Sequence, residues 1–366
     1  MHKNQGPVYY NDYLKLDSFL DCQQPLSRKH ADPENPEAHD ETLFIVVHQA
    51  YELWFKQILH DLNSVMAIFS KPQVADNEFG FIIQRLDRIT KIQEMLLSYL
   101  GILETMTPMD FLEFRSLLVP ASGFQSTQFR EIEIKLGLNT NNRESIDREF
   151  FMGRLTEKDR DKLAALENIP SLLKLVEAWL ERMPFTATNN FNFWEEYKKT
   201  ITHILKGDAD TIHANMANLS EADKKMQLEN LRMTQENFDS LFNTEEHHKI
   251  VEAGKRKLSQ KAMLNALFIA LYRDEPMLAM PYQMFSAMMD IDENFTTWRY
   301  RHALLAQRML GSKIGTGGSS GHQYLKKAAD NNRVFMDLFN LSTFLVPRSQ
   351  LPAIPSEVRQ KLNFNA

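Results

Sequence analysis

The sequence predicts an all-α protein, a large helical bundle, and three observations carry that prediction. Apolar side chains recur at steps of three and four over long stretches, convincing strand alternation is missing, and the breaks between periodic segments are short. With 366 residues, 43% apolar and 25% charged, the chain can bury a substantial core. Length alone allows one large domain or two.

The first strong segment is 41–69, ETLFIVVHQAYELWFKQILHDLNSVMAIF. Val47, Tyr51, Trp54, Ile58, Leu62, Val65 and Phe69 fall on one helical stripe. FGFIIQRLDRITKIQEMLLSYLGILETM predicts a second long helix, with Ile82, Leu86, Ile89, Leu96 and Leu103 in the same rhythm. Further helices are expected at 170–183, 191–205, 258–273, 294–310 and 323–343. Ser259, ahead of an apolar run, is a start signal, and Pro276, after YRDE, a stop. Residues 207–256 differ, being dense in charge and poor in large apolar side chains (SEADKKMQLENLRMTQENF). They predict one or two solvated helices on the side of the bundle. The expected organisation is therefore a helical body of residues 1–206 and 257–366, with 207–256 inserted as a charged helical excursion.

Bulk properties narrow the partners. Net charge is −6, with acids and bases interspersed, whereas a nucleic-acid binder favours a basic face. Cys22 is the only cysteine, so neither an internal disulfide nor a cysteine-rich metal site can form. The opening MHKNQGPVYYNDYLKL lacks a basic stretch followed by an apolar run, and no apolar run approaches the roughly 20 residues that span a bilayer. A cytoplasmic protein with no membrane partner is expected.

Two local features invite chemistry. The first is GSKIGTGGSSG, residues 311–321, in a chain with only 13 glycines. A P-loop ends its glycines with Lys-Ser/Thr, but here Lys313 precedes them. A dinucleotide fingerprint needs a third glycine where Ser320 stands, and a strand rather than a helix ahead of it. Both phosphate-binding readings fail. A flexible connector and a ligand-gripping loop remain, the latter using Thr316, Ser319 and Ser320 as hydroxyls. The apolar segments on both sides, HALLAQRML and YLKKAADNNRVFMDLFNL, favour a semi-buried loop.

The second feature is a set of polar residues in apolar helices. His48 follows LFIVV and His302 follows WRYR, whereas His247 and His248 lie in NTEEHHKI, which suggests a solvated face. A lone histidine on an apolar helix is more often a satisfied core residue than a ligand. A single buried imidazole is also what a haem iron requires, and no His-x-x-x-His or acid-rich spacing points to zinc or di-iron. Arg115 stands among Phe111, Phe114, Leu117 and Leu118. Its planar fork calls for a carboxylate, either from Asp110 or Glu113 or from a ligand.

Three segments, HDETLFIVVHQAYELWFKQIL (39–59), ETMTPMDFLEFRSLLVPASGFQSTQFR (104–130) and WRYRHALLAQRMLGSKIGTGGSSG (298–321), closely resemble the tryptophan 2,3-dioxygenase family. YYNDYLKLDSFL and VFMDLFNLSTFLVPR resemble it too, so the likeness covers nearly the whole chain. It is loosest over 207–256, a region that looks more like the longer, animal-type members than the shorter bacterial ones.

The resemblance implies an all-helical catalytic body enclosing a pocket for haem b, one per subunit, with L-tryptophan and O2 as substrates and N-formylkynurenine as product. His302 matches the proximal ligand of the iron, and His48 the distal histidine that bonds the indole N–H. Arg115 matches the clamp on the substrate carboxylate, while Phe44 and Phe111 box the indole. Thr316 matches a contact to the amino-acid end, and Ser122 and Gly123 the distal loop beside the haem. Tyr10 and Tyr13 match N-terminal tyrosines that reach into a neighbouring subunit of a homotetramer. Two rival readings use the same residues: a haem enzyme adding one oxygen atom, and a non-catalytic sensor or docking module. The intact set His48, Arg115, Thr316 and His302 favours the dioxygenase.

Overall fold

Three long helices form the frame. In the computed structural model they span His39–Phe69, Phe79–Leu103 and Pro276–Leu310. The structure describes residues 6–138, 153, 155–183, 187–188, 191–215, 219–311, 313, 325–326, 329 and 331–362. The middle helix packs along both others and so sets their separation. Ile82, Leu86 and Ile89 on it meet a core that includes Ile58, Leu62 and Val65 from the first, and Met288 and Ile291 from the last, all buried. Fully burying one such side chain stabilises by roughly 1.5–3 kcal/mol, so this seam dominates the fold. Among the described residues the only strands are a two-residue antiparallel pair, Ala187–Thr188 with Phe191–Asn192. The fold class is all-α, as the periodicity predicts.

Several expected elements are shifted, each for an identifiable reason. On the first helix the core position belongs to Phe55, while Trp54 is only half-buried, so the stripe runs 51, 55, 58, 62. Ser259 does start a helix, Gln260–Leu271, its hydroxyl accepting from the Ala262 amide at 3.2 Å. That helix ends at Leu271, short of Pro276, as the stop signal predicts, and Pro276 also opens the next helix. It occupies the first turn of the 35-residue Pro276–Leu310 helix, where proline's missing N–H costs no hydrogen bond. That helix also carries Pro281 internally, and burial of Met284, Phe285 and Met288 overrides the local penalty.

The helix expected over 323–343 is interrupted at 332–335. There the buried Asp292 carboxylate accepts from the amides of Val334 at 2.9 Å and Phe335 at 3.0 Å, and a short helix, Met336–Asn340, follows. The same device recurs twice. Glu41 accepts from the amides of Leu26 and Ser27, both at 2.8 Å, and Asp337 from those of Lys257 and Leu258, both at 2.7 Å. At Gly137, which ends the Thr127–Leu136 helix with φ +126°, any Cβ would lie 2.8 Å from that of Leu173.

Within 207–256 the helix Phe193–Asn215 runs across residue 207, followed by Glu221–Phe242 and Thr244–Glu252. Exposed pairs such as Lys224–Glu221 and Lys249–Glu246, both 2.6 Å, lace the outer faces. Phe238 and Leu241 enter the core, Phe238 meeting Phe344 at 5.4 Å between ring centres. His247 is a correction to the sequence reading. It is buried, not solvated, with Nε2 donating to the Leu258 carbonyl at 3.0 Å and Nδ1 accepting from Arg256 at 3.1 Å. Burial first, and the nearby Arg256 charge, lower its pKa and keep it neutral.

Candidate active site

His48 projects from the first long helix, one turn beyond Phe44. Its Nδ1 lies 2.7 Å from the Phe44 carbonyl oxygen. A carbonyl can only accept, so Nδ1 carries the hydrogen and Nε2 of the neutral ring is left as an acceptor. Water reaches the ring, yet protein surrounds it closely enough for burial to lower its pKa, opposed by the Phe44 carbonyl and Glu52. Those two facts describe the wall of an open cleft. They also make the neutral acceptor form the one present near pH 7.

Aromatic rings build the rest of that wall. Phe44 lies 4.1 Å from the His48 ring, 5.9 Å from Phe111 and nearly parallel to it. Phe114 meets both phenylalanines edge-on, at 5.6 and 5.5 Å. Phe111, Phe114 and Arg115 all come from one short helix, Pro108–Arg115. Its start is secured by a capping box in which Thr107 Oγ1 accepts from the Asp110 amide and the Asp110 carboxylate accepts from the Thr107 amide. This local lock places Arg115, half-buried, at the end of the aromatic wall. Phe114, fully buried, is the back of the wall.

Ser122 and Gly123 lie in the turn that follows. The Gln125 amide donates to the Ser122 carbonyl at 2.9 Å, and the Ser122 amide donates to Gln125 Oε1 at 3.1 Å. A Cβ built on Gly123 meets no heavy atom within 4 Å, so open space stands beside that backbone.

His302 comes from the third long helix. It is half-buried, but its Nδ1 is sealed off and has no hydrogen-bond partner among the described residues. Burial, and next the charge that His48 would carry, push its pKa down to about 4. The ring is therefore neutral at pH 7, able to give a lone pair to a metal. Charge on His48 would disfavour charge on His302, the second cause of that shift. Trp298, one turn earlier, packs its indole 4.9 Å from the His302 ring.

The structure thus brings His48, Phe44 and Phe111 into contact, with Arg115 beside them and His302 within electrostatic reach of His48. Tyr10 and Tyr13 are 72% and 75% exposed on the short helix Tyr10–Leu14. Thr316 lies outside the described residues. Sequence reasoning missed the pairing of Tyr51 with Trp298, since no local pattern signals a bond between residues 247 apart. No described helix is long and apolar enough to cross a membrane.

A family model described as tryptophan 2,3-dioxygenase matches residues 1–345. A protein of that name from Alteromonas mediterranea is 50% identical over 364 residues, covering 100% of this chain and 99% of the relative. Another, from Bdellovibrio bacteriovorus, is 47% identical over 98% of this chain and 99% of its own length. A third, from Dictyostelium discoideum, is 45% identical over 98% of this chain and 89% of its own. The two bacterial relatives match over almost the full length, so residues 207–256 do not set the chain apart as animal-type. The chain belongs to the tryptophan 2,3-dioxygenase family.

Proposed function

We propose that the cleft beside His48 and Phe44 binds L-tryptophan, and that the chain cleaves the indole C2–C3 bond with O2 to give N-formylkynurenine. It is a dioxygenase of the first step of tryptophan breakdown. One observation carries the placement of the substrate. The Phe44 carbonyl commits His48 Nδ1 as donor, which leaves Nε2 as an acceptor suited to an indole N–H. Phe44 and Phe111 sandwich or edge the indole, Arg115 pairs with the substrate carboxylate, and Thr316 contacts the amino-acid end. Indole N–H is a very weak acid, so His48 orients the substrate rather than removing its proton.

The cofactor of this reading is haem b, one per subunit. When bound it supplies the redox-active iron at which dioxygen is activated. The residues present fit it. His302 is a neutral imidazole on a rigid helix, Ser122 and Gly123 border open space, and the surrounding wall is aromatic. His302 would hold the iron as its single protein ligand, with Ser122 and Gly123 beside the haem. This chain's contribution is then to bind, orient and exclude water.

Three further assignments belong to the same reading. The exposed N-terminal strip of Val8, Tyr9, Tyr10, Tyr13 and Leu14 supports a homotetramer in which Tyr10 and Tyr13 reach a neighbouring subunit's pocket. Residues 207–256 form an excursion inserted in a catalytic body of 1–206 and 257–366, supported by their charged outer faces. The location is cytoplasmic, supported by a single, exposed cysteine.

The test is the product mass from L-tryptophan with haem-loaded, reduced protein under ¹⁸O2. Two labelled oxygens in N-formylkynurenine are expected. One labelled oxygen, or tryptophan that binds and returns unchanged, would replace this reaction with mono-oxygenation or sensing.

A further inference from the structure

His302 has an unusual environment for a metal ligand. Ligating histidines nearly always donate their second ring N–H to a carbonyl or carboxylate, which fixes the ring's orientation. His302 Nδ1 is buried with no such partner among the described residues. Something else has to hold the ring, and Trp298 packs against it, its indole 4.9 Å away at 43°.

Trp298 is itself pinned. Its Nε1–H donates to Tyr51 Oη at 3.2 Å, and the Tyr51 hydroxyl donates to the Leu96 carbonyl at 2.6 Å. The direction of this relay is forced, because indole N–H can only donate and the carbonyl can only accept. Tyr51 is buried and one turn beyond His48 on the first long helix, while Trp298 is one turn before His302 on the third. Leu96 belongs to the middle helix, whose next carbonyl, that of Leu97, accepts from Arg301 at 3.3 Å. Phe129 closes the other side of Trp298 at 5.2 Å, and comes from the helix that follows the Gly123 turn.

We propose that Trp298, anchored by Tyr51, is a positioning residue that sets the ring orientation of His302 toward the haem. The same bond ties the helix of His302 to the helix of His48. The inference rests on the haem reading above, and it asks which of this chain's own residues replace the missing hydrogen bond at Nδ1.

The experiment uses haem-loaded protein and the variants Trp298→Phe, Tyr51→Phe and the double variant. It measures the iron–histidine stretching band of the ferrous protein by resonance Raman, together with the rate of haem loss to an acceptor protein. Trp298→Phe is expected to lower and broaden the band and to speed haem loss on the order of 10-fold. Tyr51→Phe, which removes one hydroxyl, should move both readings the same way by less. The double variant should match Trp298→Phe, because the two residues act as one unit. KM for tryptophan should stay within about twofold, since the ring contacts and hydrogen bonds described for Tyr51 and Trp298 include none with Phe44, Phe111 or Arg115.

An unchanged band and unchanged haem loss in Trp298→Phe would overturn the proposal and leave the pair as core packing. If that variant does not fold, Tyr51→Phe decides alone: a band identical to that of the parent overturns the proposal, and a shifted one upholds it. Failure of the haem reading looks different, since the parent protein would then show no iron–histidine band at all.

Discussion

Replacing His302 with alanine is expected to abolish stable haem retention while leaving the fold intact. The Soret absorbance of purified protein after reconstitution with haem, set against protein concentration, checks it. A drop in haem content beyond about 10-fold is expected, since the variant removes the one residue assigned to hold the iron. The fold should survive for a structural reason. His302 is only half-buried and its Nδ1 makes no hydrogen bond that alanine would lose. The unfolding midpoint of the haem-free chain should change little, by less than about 1 kcal/mol in stability. A variant with normal haem content and a normal spectrum would sink the axial assignment.

Changing Arg115 to methionine is expected to weaken tryptophan binding by about 2–5 kcal/mol, with haem content unaltered. In affinity that is a loss of roughly 30-fold to a few thousand-fold. Arg115 is half-buried rather than sealed, so water partly replaces the lost pairing and the lower part of the range applies. Equilibrium titration of the haem-loaded protein with tryptophan measures the effect. Arg115→Lys separates charge from shape, since an ammonium keeps the charge without the two-pronged fork. If both variants bind like the parent, Arg115 serves only the end of its own helix, where a cation favours the dipole.

The frame of the molecule was legible in the sequence because its long helices bury one continuous stripe each. Where the reading slipped, a partner distant in sequence decided. Residues 332–335 leave the helix because Asp292, in another element, captures two of their amides. The helix expected over 294–310 begins already at Pro276, because burial of Met284 and Met288 carries it through Pro281. His247 reads as solvated in a run of acids and lysine, yet the helix turns that one side chain inward, onto Leu258 and Arg256. In the site, His48 and Arg115 stood out as polar residues in apolar helices, and the family resemblance gave each a role. The relay from Trp298 through Tyr51 could not be read at all, because both residues look like ordinary core members until the third dimension joins them.

The three buried carboxylates that each grip a pair of amides in a loop or at a helix start have a dynamic consequence. Hydrogen exchange at a loop amide is normally fast, because no ladder of helical bonds has to open first. At Leu26 and Ser27, at Lys257 and Leu258, and at Val334 and Phe335, the acceptor is instead a carboxylate shut inside the core. Releasing such an amide would strand a charge away from water, so these six should exchange as slowly as amides in mid-helix. Mass-resolved exchange would show three protected islands in otherwise labile connections. Fast exchange there would mean that the connections breathe apart from the bundle. Slow exchange would make them part of one cooperative unit with the helices, and the protein's joints would be as rigid as its beams.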